Sequence, residues 1–179
     1  MLDVAQKYTD TLKLKISETA YDLNYMFYHS GWSDEYSPSN ENWNQHEFVS
    51  LSSDQEILGY IRYSVSRNDY SVHGLTAINF SDDKITFGRD LVQVVDDIFT
   101  KYHFRKLGFS VYVGNPIEKT YDKLIEKYGG RIVGIKKEET RLLDGSFYDF
   151  KMYEIFQRDY LASKSSRLNK TQPSPGGEQ

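Results

Sequence analysis

Residues 111–130 read VYVGNPIEKTYDKLIEKYGG, a stretch that predicts a strand, a sharp turn and a helix in immediate succession. The helix is indicated by apolar side chains that recur at helical spacing: Ile117, Tyr121, Leu124, Ile125 and Tyr128. Gly129 and Gly130 then end it, because glycine readily adopts the left-handed conformation that closes a helix. Asn115 and Pro116 stand in the turn, which raises the question of what the asparagine side chain does there.

The rest of the chain alternates between the two periodicities that distinguish strands from helices. We predict these elements in chain order: strand 11–16, helix 18–30, strands 47–52, 57–65 and 72–80, helix 87–99, strand 109–113, helix 117–128, and strands 131–141 and 146–156. The middle three strands should form an antiparallel meander, and Asp144-Gly145 predicts a closing hairpin. Because the strand–helix–strand units need crossovers, we predict an α/β fold with a mixed sheet flanked by helices.

The chain of 179 residues is long enough for one domain with its own core. We assign residues 1–162 to that domain. From Ser163 onward the sequence SKSSRLNKTQPSPGGEQ loses apolar periodicity and gains Ser, Pro and Gly. Such a composition cannot bury enough surface to offset the entropy of ordering, so residues 163–179 are predicted to be a flexible polar tail.

Composition excludes several classes of function. The net charge of -4 argues against a nucleic-acid partner, because it removes the long-range attraction to phosphates. With no cysteine there is no thiolate nucleophile and no Cys-based zinc site, and the four histidines lack metal-ligand spacing, so we expect no metal. We find neither a signal-peptide layout nor an apolar run of membrane-spanning length, and therefore expect a soluble cytoplasmic protein with no membrane partner.

Three segments, in this order, resemble the GNAT superfamily of acyl-CoA-dependent N-acetyltransferases, and within it the RimJ/RimL-like branch. They are FGRDLVQVVDDIF (87–99), VYVGNPIEKTYDKLIEKYGG (111–130) and RLLDGSFYDFKMYEIFQRDYL (141–161). The resemblance implies a central mixed sheet that splays open, acetyl-CoA as the co-substrate and an amine as the acceptor. That acceptor would be a protein N-terminus, a polyamine or another small cationic amine. Because the chain has no cysteine to carry an acyl group, the transfer would be direct, within a ternary complex.

Asn115 is where the resemblance implies a contact with the cofactor. In the family, the strand before this turn leaves its neighbour and opens a cleft for the pantetheine arm, and an asparagine after it often hydrogen-bonds that region. The amide offers donors and an acceptor to a ligand that carries amides of its own. The alternative is that Asn115 and Pro116 serve only to start the helix.

Two tyrosines of the predicted helix are candidate general acids. Family members often carry a tyrosine in this helix whose hydroxyl protonates the departing CoA thiolate, and a phenol of pKa near 10 is still protonated at neutral pH. Tyr121 is the first candidate and Tyr128 the second. The alternative is that both rings pack in the core, as aromatic side chains at helical spacing usually do.

The phosphate-binding segment departs from the family pattern. The Q/R-x-x-G-x-G/A loop of the family aligns with Asp83-Lys84-Ile85-Thr86-Phe87-Gly88, which keeps only the last glycine. We expect a helix to begin at Gly88 with its free N–H groups facing the diphosphate, and basic side chains nearby to add charge. The candidate cofactor-binding residues in this region are Asn79, Phe80, Lys84, Thr86, Phe87, Gly88 and Arg89.

The general base is open among Glu35, His73 and a water held by Asn79. In the family, the loop GWSDEYSPSNENW (31–43) would face the acceptor, and its carboxylates would attract a cationic amine.

A second class of function remains, a catalytically inactive GNAT-fold protein that binds another macromolecule through its tyrosine-rich surface. The oligomeric state is open as well, a homodimer included.

Overall fold

The computed structural model describes residues 1–28 and 43–171. The strands are β1 (Leu2–Val4), β2 (Gln45–Leu51), β3 (Ile57–Ser66), β4 (Ser71–Asn79), β5 (Lys106–Tyr112), β6 (Arg131–Arg141) and β7 (Phe147–Phe156). The α-helices are α1 (Thr9–Thr19), α2 (Lys84–Thr100), α3 (Glu118–Tyr128) and α4 (Gln157–Thr171). Short 3₁₀ segments at Ala5–Tyr8 and Leu23–Tyr25 flank α1. No helix in this part of the chain is both long and apolar enough to span a membrane.

Within the described residues, seven strands form one mixed sheet in the order β1-β2-β3-β4-β5-β7-β6. The neighbours from β1 to β4 are antiparallel, as are β5, β7 and β6. The predicted meander, closing hairpin and mixed sheet are therefore confirmed.

The two halves of the sheet meet at β4 and β5 and then part. These parallel strands pair at Ser71 with Lys106 and at Val72 with Leu107, and no further pair joins them in the described chain. Just beyond the paired positions, β4 carries a bulge around Gly74, whose φ of +65° suits glycine. A bulge bends its strand, so β4 leaves β5 after two residues. The predicted splayed sheet is confirmed.

A hydrophobic cluster lies on each face of the sheet. On one face α1 packs against the meander through a small cluster: Ala5, Leu12, Val49, Leu51, Ile57, Tyr60 and Ile78. On the other face the larger cluster joins the strands to α2, α3 and the start of α4, with buried side chains such as Val94, Ile98, Tyr121, Ile125 and Tyr160.

The predicted strand 11–16 and helix 18–30 are wrong, because residues 9–19 form α1. The segment TLKLKI fits both an alternating and a helical pattern. In the helix, Leu12 and Ile16 lie one turn apart and are buried, whereas Leu14, which alternation would place with them, is 59% exposed. After α1 the chain makes a 3₁₀ turn capped by Asp22, which accepts a hydrogen bond from the Asn24 backbone N–H.

The predicted flexible tail also needs correction, because α4 continues past Ser163 to Thr171. The helix has little apolar periodicity of its own, and contacts with α2 and α3 hold it. Tyr160 and Lys164 donate hydrogen bonds to Asp96 of α2, and the Arg167 guanidinium lies over the Tyr128 ring of α3. Residues 172–179 lie outside the described residues.

Candidate active site

The gap between β4 and β5 is the candidate site. On the face covered by α2 and α3, the gap is bordered by buried apolar side chains: Leu75 and Ala77 from β4, and Phe109 and Val111 from β5. Because no ladder joins β4 to β5 beyond Val72 in the described chain, the backbone groups on their facing edges are not used in pairing. An extended ligand that carries amides can use such groups as a strand would.

Tyr121 lies at this gap. Its ring makes an edge contact with Phe109 of β5 at 5.0 Å between centroids, and the residue is only 6% exposed. Burial raises the pKa of the Tyr121 hydroxyl, and the nearby Tyr28 hydroxyl raises it further. Tyr28 packs against the cluster on the α1 face. Within the described residues, no hydrogen bond engages the Tyr121 hydroxyl.

Asn115 lies in the turn that leads from β5 to α3 and is 7% exposed. Its Oδ1 accepts a hydrogen bond from the Ile117 backbone N–H at 3.1 Å, so the side chain does help to start α3. Its amide nitrogen donates no hydrogen bond to the described residues. The turn itself needs Gly114, whose φ is +94°. The helix-starting role is therefore present, and the amide donors remain available to a ligand.

An ion-pair network around the buried Lys151 fixes this turn, and the sequence did not reveal it. Lys151 of β7 is 8% exposed and donates hydrogen bonds to Asp122 (2.7 Å) and Glu118 (3.0 Å) of α3. Glu118 in turn accepts from the Gly114 backbone N–H at 3.0 Å. Although burial lowers the pKa of Lys151, the carboxylates of Asp122 and Glu118 outweigh that effect and raise it. The network thus ties the start of α3 and the turn at Gly114 to strand β7.

Tyr153 of β7 joins the same network. Its hydroxyl donates to Asp122 at 2.9 Å, and its ring stacks on Phe109. Burial raises the pKa of Tyr153 to about 12, and the hydrogen bond to Asp122 contributes to the increase. The signal in the sequence was one lysine in the otherwise apolar run FKMY, together with two carboxylates four residues apart on α3.

The helix α2 does not begin at Gly88 as predicted. It begins at Lys84, and Gly88 lies in its second turn. Asp83 is the cap: its Oδ1 accepts from the Thr86 backbone N–H at 2.9 Å, and this bond holds the pKa of Asp83 below its usual range. An ionised carboxylate therefore occupies the helix start where an anionic ligand would otherwise find free donors.

The other predicted cofactor-binding residues surround this helix start. Asn79 ends β4, and its Oδ1 accepts hydrogen bonds from the backbone N–H and the hydroxyl of Ser81. Phe80 packs toward the α1 face, and Phe87 is buried against Gly59, where an added Cβ would lie 2.4 Å from its ring. Lys84 and Arg89 are exposed on α2.

A groove of about 370 Å³ continues from Arg89 along α2 and is closed by α3 and α4. Tyr128 lies at its base, stacked on Tyr160 with ring centroids 4.5 Å apart. Tyr128 is thus packed between α3 and α4, seven residues along α3 from Tyr121, or about 10 Å at the rise of an α-helix. The structure brings Tyr121, and not Tyr128, to the gap between β4 and β5.

The candidate bases are not brought together by the described residues. Glu35 and most of the acidic loop 31–43 lie outside them. His73 is exposed on β4, near the positions where that strand still pairs with β5. In the described part of the chain, no three His, Asp or Glu side chains are grouped so that they could hold a metal ion.

Comparison with known proteins identifies the fold. No family model and no curated protein matches the chain. The spermidine N-acetyltransferase from Vibrio cholerae in complex with CoA and spermine is 21% identical, covers 90% of this chain and 97% of its own, and gives a TM-score of 0.68. The spermidine/spermine N-acetyltransferase SpeG from Vibrio cholerae in complex with manganese ions is 20% identical, covers 96% of each chain, and gives a TM-score of 0.61.

The chain has the GNAT fold. The two-residue pairing of β4 with β5 is the feature of that fold on which the candidate site depends. These neighbours are spermidine N-acetyltransferases, so the comparison does not single out the RimJ/RimL-like branch that the sequence motifs suggested. At this level of identity the similarity is one of fold, and chemistry has to be argued from the residues of this chain.

Proposed function

We propose that this protein is an N-acetyltransferase that transfers an acetyl group from acetyl-CoA to a small cationic amine of the polyamine class. The observation that carries the proposal is the splay, where β4 and β5 separate after two paired residues and Tyr121 lies at the gap. The structural neighbours add support, since one of them is a spermidine N-acetyltransferase in complex with CoA and spermine.

Acetyl-CoA would enter this gap as a substrate. The unpaired edges of β4 and β5 suit the amides of its pantetheine arm, and the amide donors of Asn115 lie at the end of β5. The buried apolar borders of the gap, among them Leu75 and Val111, would exclude water from the thioester.

Transfer would be direct. The amine nitrogen attacks the thioester carbonyl carbon, the carbon–sulfur bond breaks, and the sulfur leaves with its electron pair. Tyr121 is the proposed donor of the proton that this sulfur takes up. The Tyr121 hydroxyl is protonated at neutral pH, as any phenol of pKa near 10 is, and no described residue competes for that hydrogen. The amine loses its proton to a base that we expect in the loop 31–43, where Glu35 is the candidate.

The acceptor side is the face of the sheet opposite α2 and α3. Side chains alternate along a strand, and Lys151 points to α3, so Tyr148 and Phe150 point to the other face. There Tyr148 contacts Phe27 at 5.6 Å and Phe150 contacts Tyr112 at 5.3 Å between ring centroids. Aromatic rings suit both the methylene segments and the ammonium groups of a polyamine.

The test is acetyl transfer measured by the release of CoA thiol, with spermidine, spermine and a peptide bearing a free N-terminus as alternative acceptors. We expect acetylation of the polyamines and little of the peptide. Calorimetric titration with acetyl-CoA is the accompanying measurement. The carboxylate of Asp83 at the start of α2 is the observation that favours the alternative of an inactive binding protein. If the protein did not bind acetyl-CoA, the alternative of an inactive binding protein would be favoured.

A further inference from the structure

The groove between α2, α3 and α4 has a charge unlike that of the whole protein. Its lining residues are Arg89, Val92, Gln93, Asp96, Tyr128, Tyr160, Lys164 and Arg167. Three of these are cationic and one is anionic, whereas the chain as a whole carries a net charge of -4. A local excess of positive charge in a concave site attracts an anionic ligand.

Two of the three cationic groups, those of Lys164 and Arg167, are held in place by contacts with the protein. Lys164 and Tyr160 both donate to Asp96, and these bonds outweigh the effect of burial and hold the pKa of Asp96 below its usual range. The Arg167 guanidinium lies 4.2 Å from the Tyr128 ring centroid, and its Nη1 donates to the Lys127 carbonyl at 2.9 Å. An arginine that is stacked and oriented in this way loses little further freedom when it binds a phosphate.

The groove lies beyond the helix start. Arg89 is five residues from Lys84, about 7.5 Å along α2, and Asp96 is about 10 Å farther at the rise of an α-helix. If the diphosphate of a ligand lies near the helix start, the next anionic group of the same ligand can therefore lie in the groove. In CoA that group is the phosphate on the ribose.

We propose that Lys164 and Arg167 of α4, together with Arg89 of α2, bind the ribose phosphate of CoA. This inference rests on the proposed function. It assigns a role to the helix α4 and would allow the protein to bind CoA although Asp83 occupies the start of α2. Three cations around the ribose phosphate would add affinity for CoA that the capped start of α2 does not supply to the diphosphate.

The test compares CoA with dephospho-CoA, which lacks the ribose phosphate, by calorimetric titration of the full chain. The parent should bind CoA about 10- to 100-fold more tightly than dephospho-CoA, the range of one or two charge-assisted contacts. Lys164→Gln and Arg167→Gln should each weaken CoA binding by about 5- to 50-fold and change dephospho-CoA binding by less than about 2-fold. Arg167→Lys, which keeps the charge, should retain part of the preference.

Arg158→Gln is the matched control, because Arg158 is on α4 but lies over the Phe156 ring outside the groove. The Arg158→Gln variant should prefer CoA over dephospho-CoA by the same factor as the parent. If the parent bound CoA and dephospho-CoA equally well, the proposed site for the ribose phosphate would be overturned, but the proposed acetyltransferase function would stand. Equal losses for both ligands in the two Gln variants would also overturn it, because they would indicate a structural role for α4. A parent that binds neither ligand would overturn the proposed function too.

Discussion

The carboxylate of Asp83 accepts a hydrogen bond from the Thr86 backbone N–H at 2.9 Å and so caps the first turn of α2. In a protein that is expected to bind a diphosphate near this turn, the cap and the ligand compete for the same donors. The Asp83 carboxylate therefore stabilises the helix and, at the same time, weakens the binding of an anion at its start.

Asp83→Asn should keep the cap, because asparagine is an equally good capping residue, and remove the negative charge. We expect acetyl-CoA to bind about 2- to 5-fold more tightly at low ionic strength, with a smaller gain as salt is added. Calorimetric titration at two salt concentrations measures both effects. Asp83→Ala, which removes charge and cap together, is the companion variant and should melt at a lower temperature. Weaker binding by Asp83→Asn would mean that the phosphates lie elsewhere.

Arg89→Ala should weaken acetyl-CoA binding by about 5- to 100-fold, since one charge-assisted contact is lost. Arg89 is exposed at the mouth of the groove beside the α2 cap, so its removal should leave the fold unchanged. Lys84→Ala is the comparison, and its effect should be smaller because Lys84 does not line the groove. Equal affinities of Arg89→Ala and the parent for acetyl-CoA would contradict the assignment.

Tyr121→Phe should lower kcat by about 10- to 1000-fold, the range of general acid catalysis. The ring stays in contact with Phe109, so the melting temperature should change little. Tyr128→Phe is the matched control, because Tyr128 is stacked on Tyr160 away from the gap, and its kcat should stay within about 2-fold of the parent. If both variants turned over at the parent rate, the proton would come from water or another group.

The spacing of apolar residues was sufficient to predict a helix or a strand where a segment fits only one of the two patterns. The meander, α2, α3 and the β6–β7 hairpin were predicted to within a few residues because their apolar side chains repeat unambiguously. The segment TLKLKI fits two patterns, and the burial of both Leu12 and Ile16 decides for the helix. The helix α4 could not be predicted, because contacts with Asp96 and Tyr128, distant in sequence, stabilise it.

The candidate site was predictable where a turn or strand end determines it. Tyr121 contacts Phe109 of β5, and Asn115 lies in the turn after that strand, while their roles toward a ligand stay predictions. The Lys151 network escaped prediction because its partners lie 29 and 33 residues away along the chain. Local pattern carries no information about which helix will cover which strand, so a single buried lysine signals only that carboxylates must be near it.

The buried Lys151 supports the last prediction. Lys151→Met should lower the free energy of unfolding by about 0.5 to 2 kcal/mol, because it leaves Asp122 and Glu118 without their cation while water screens the partly exposed Asp122 carboxylate. Lys137→Met is the control: Lys137 makes a surface pair with Asp149, and its loss should change stability much less than the loss of Lys151 does. Urea denaturation of the three proteins provides the comparison.

The effect of Lys151→Met should also depend on pH. The hydrogen bond from Lys151 holds the pKa of Asp122 below its usual range in the folded state. A carboxyl whose folded pKa is lowered adds stability above its unfolded pKa, about 4, and that contribution disappears as pH falls through the folded value. The stability difference between the parent and Lys151→Met should therefore be constant near neutral pH and shrink below about pH 4. A difference that stayed constant on acidification would show that Lys151 stabilises the fold by packing and not through its ion pairs.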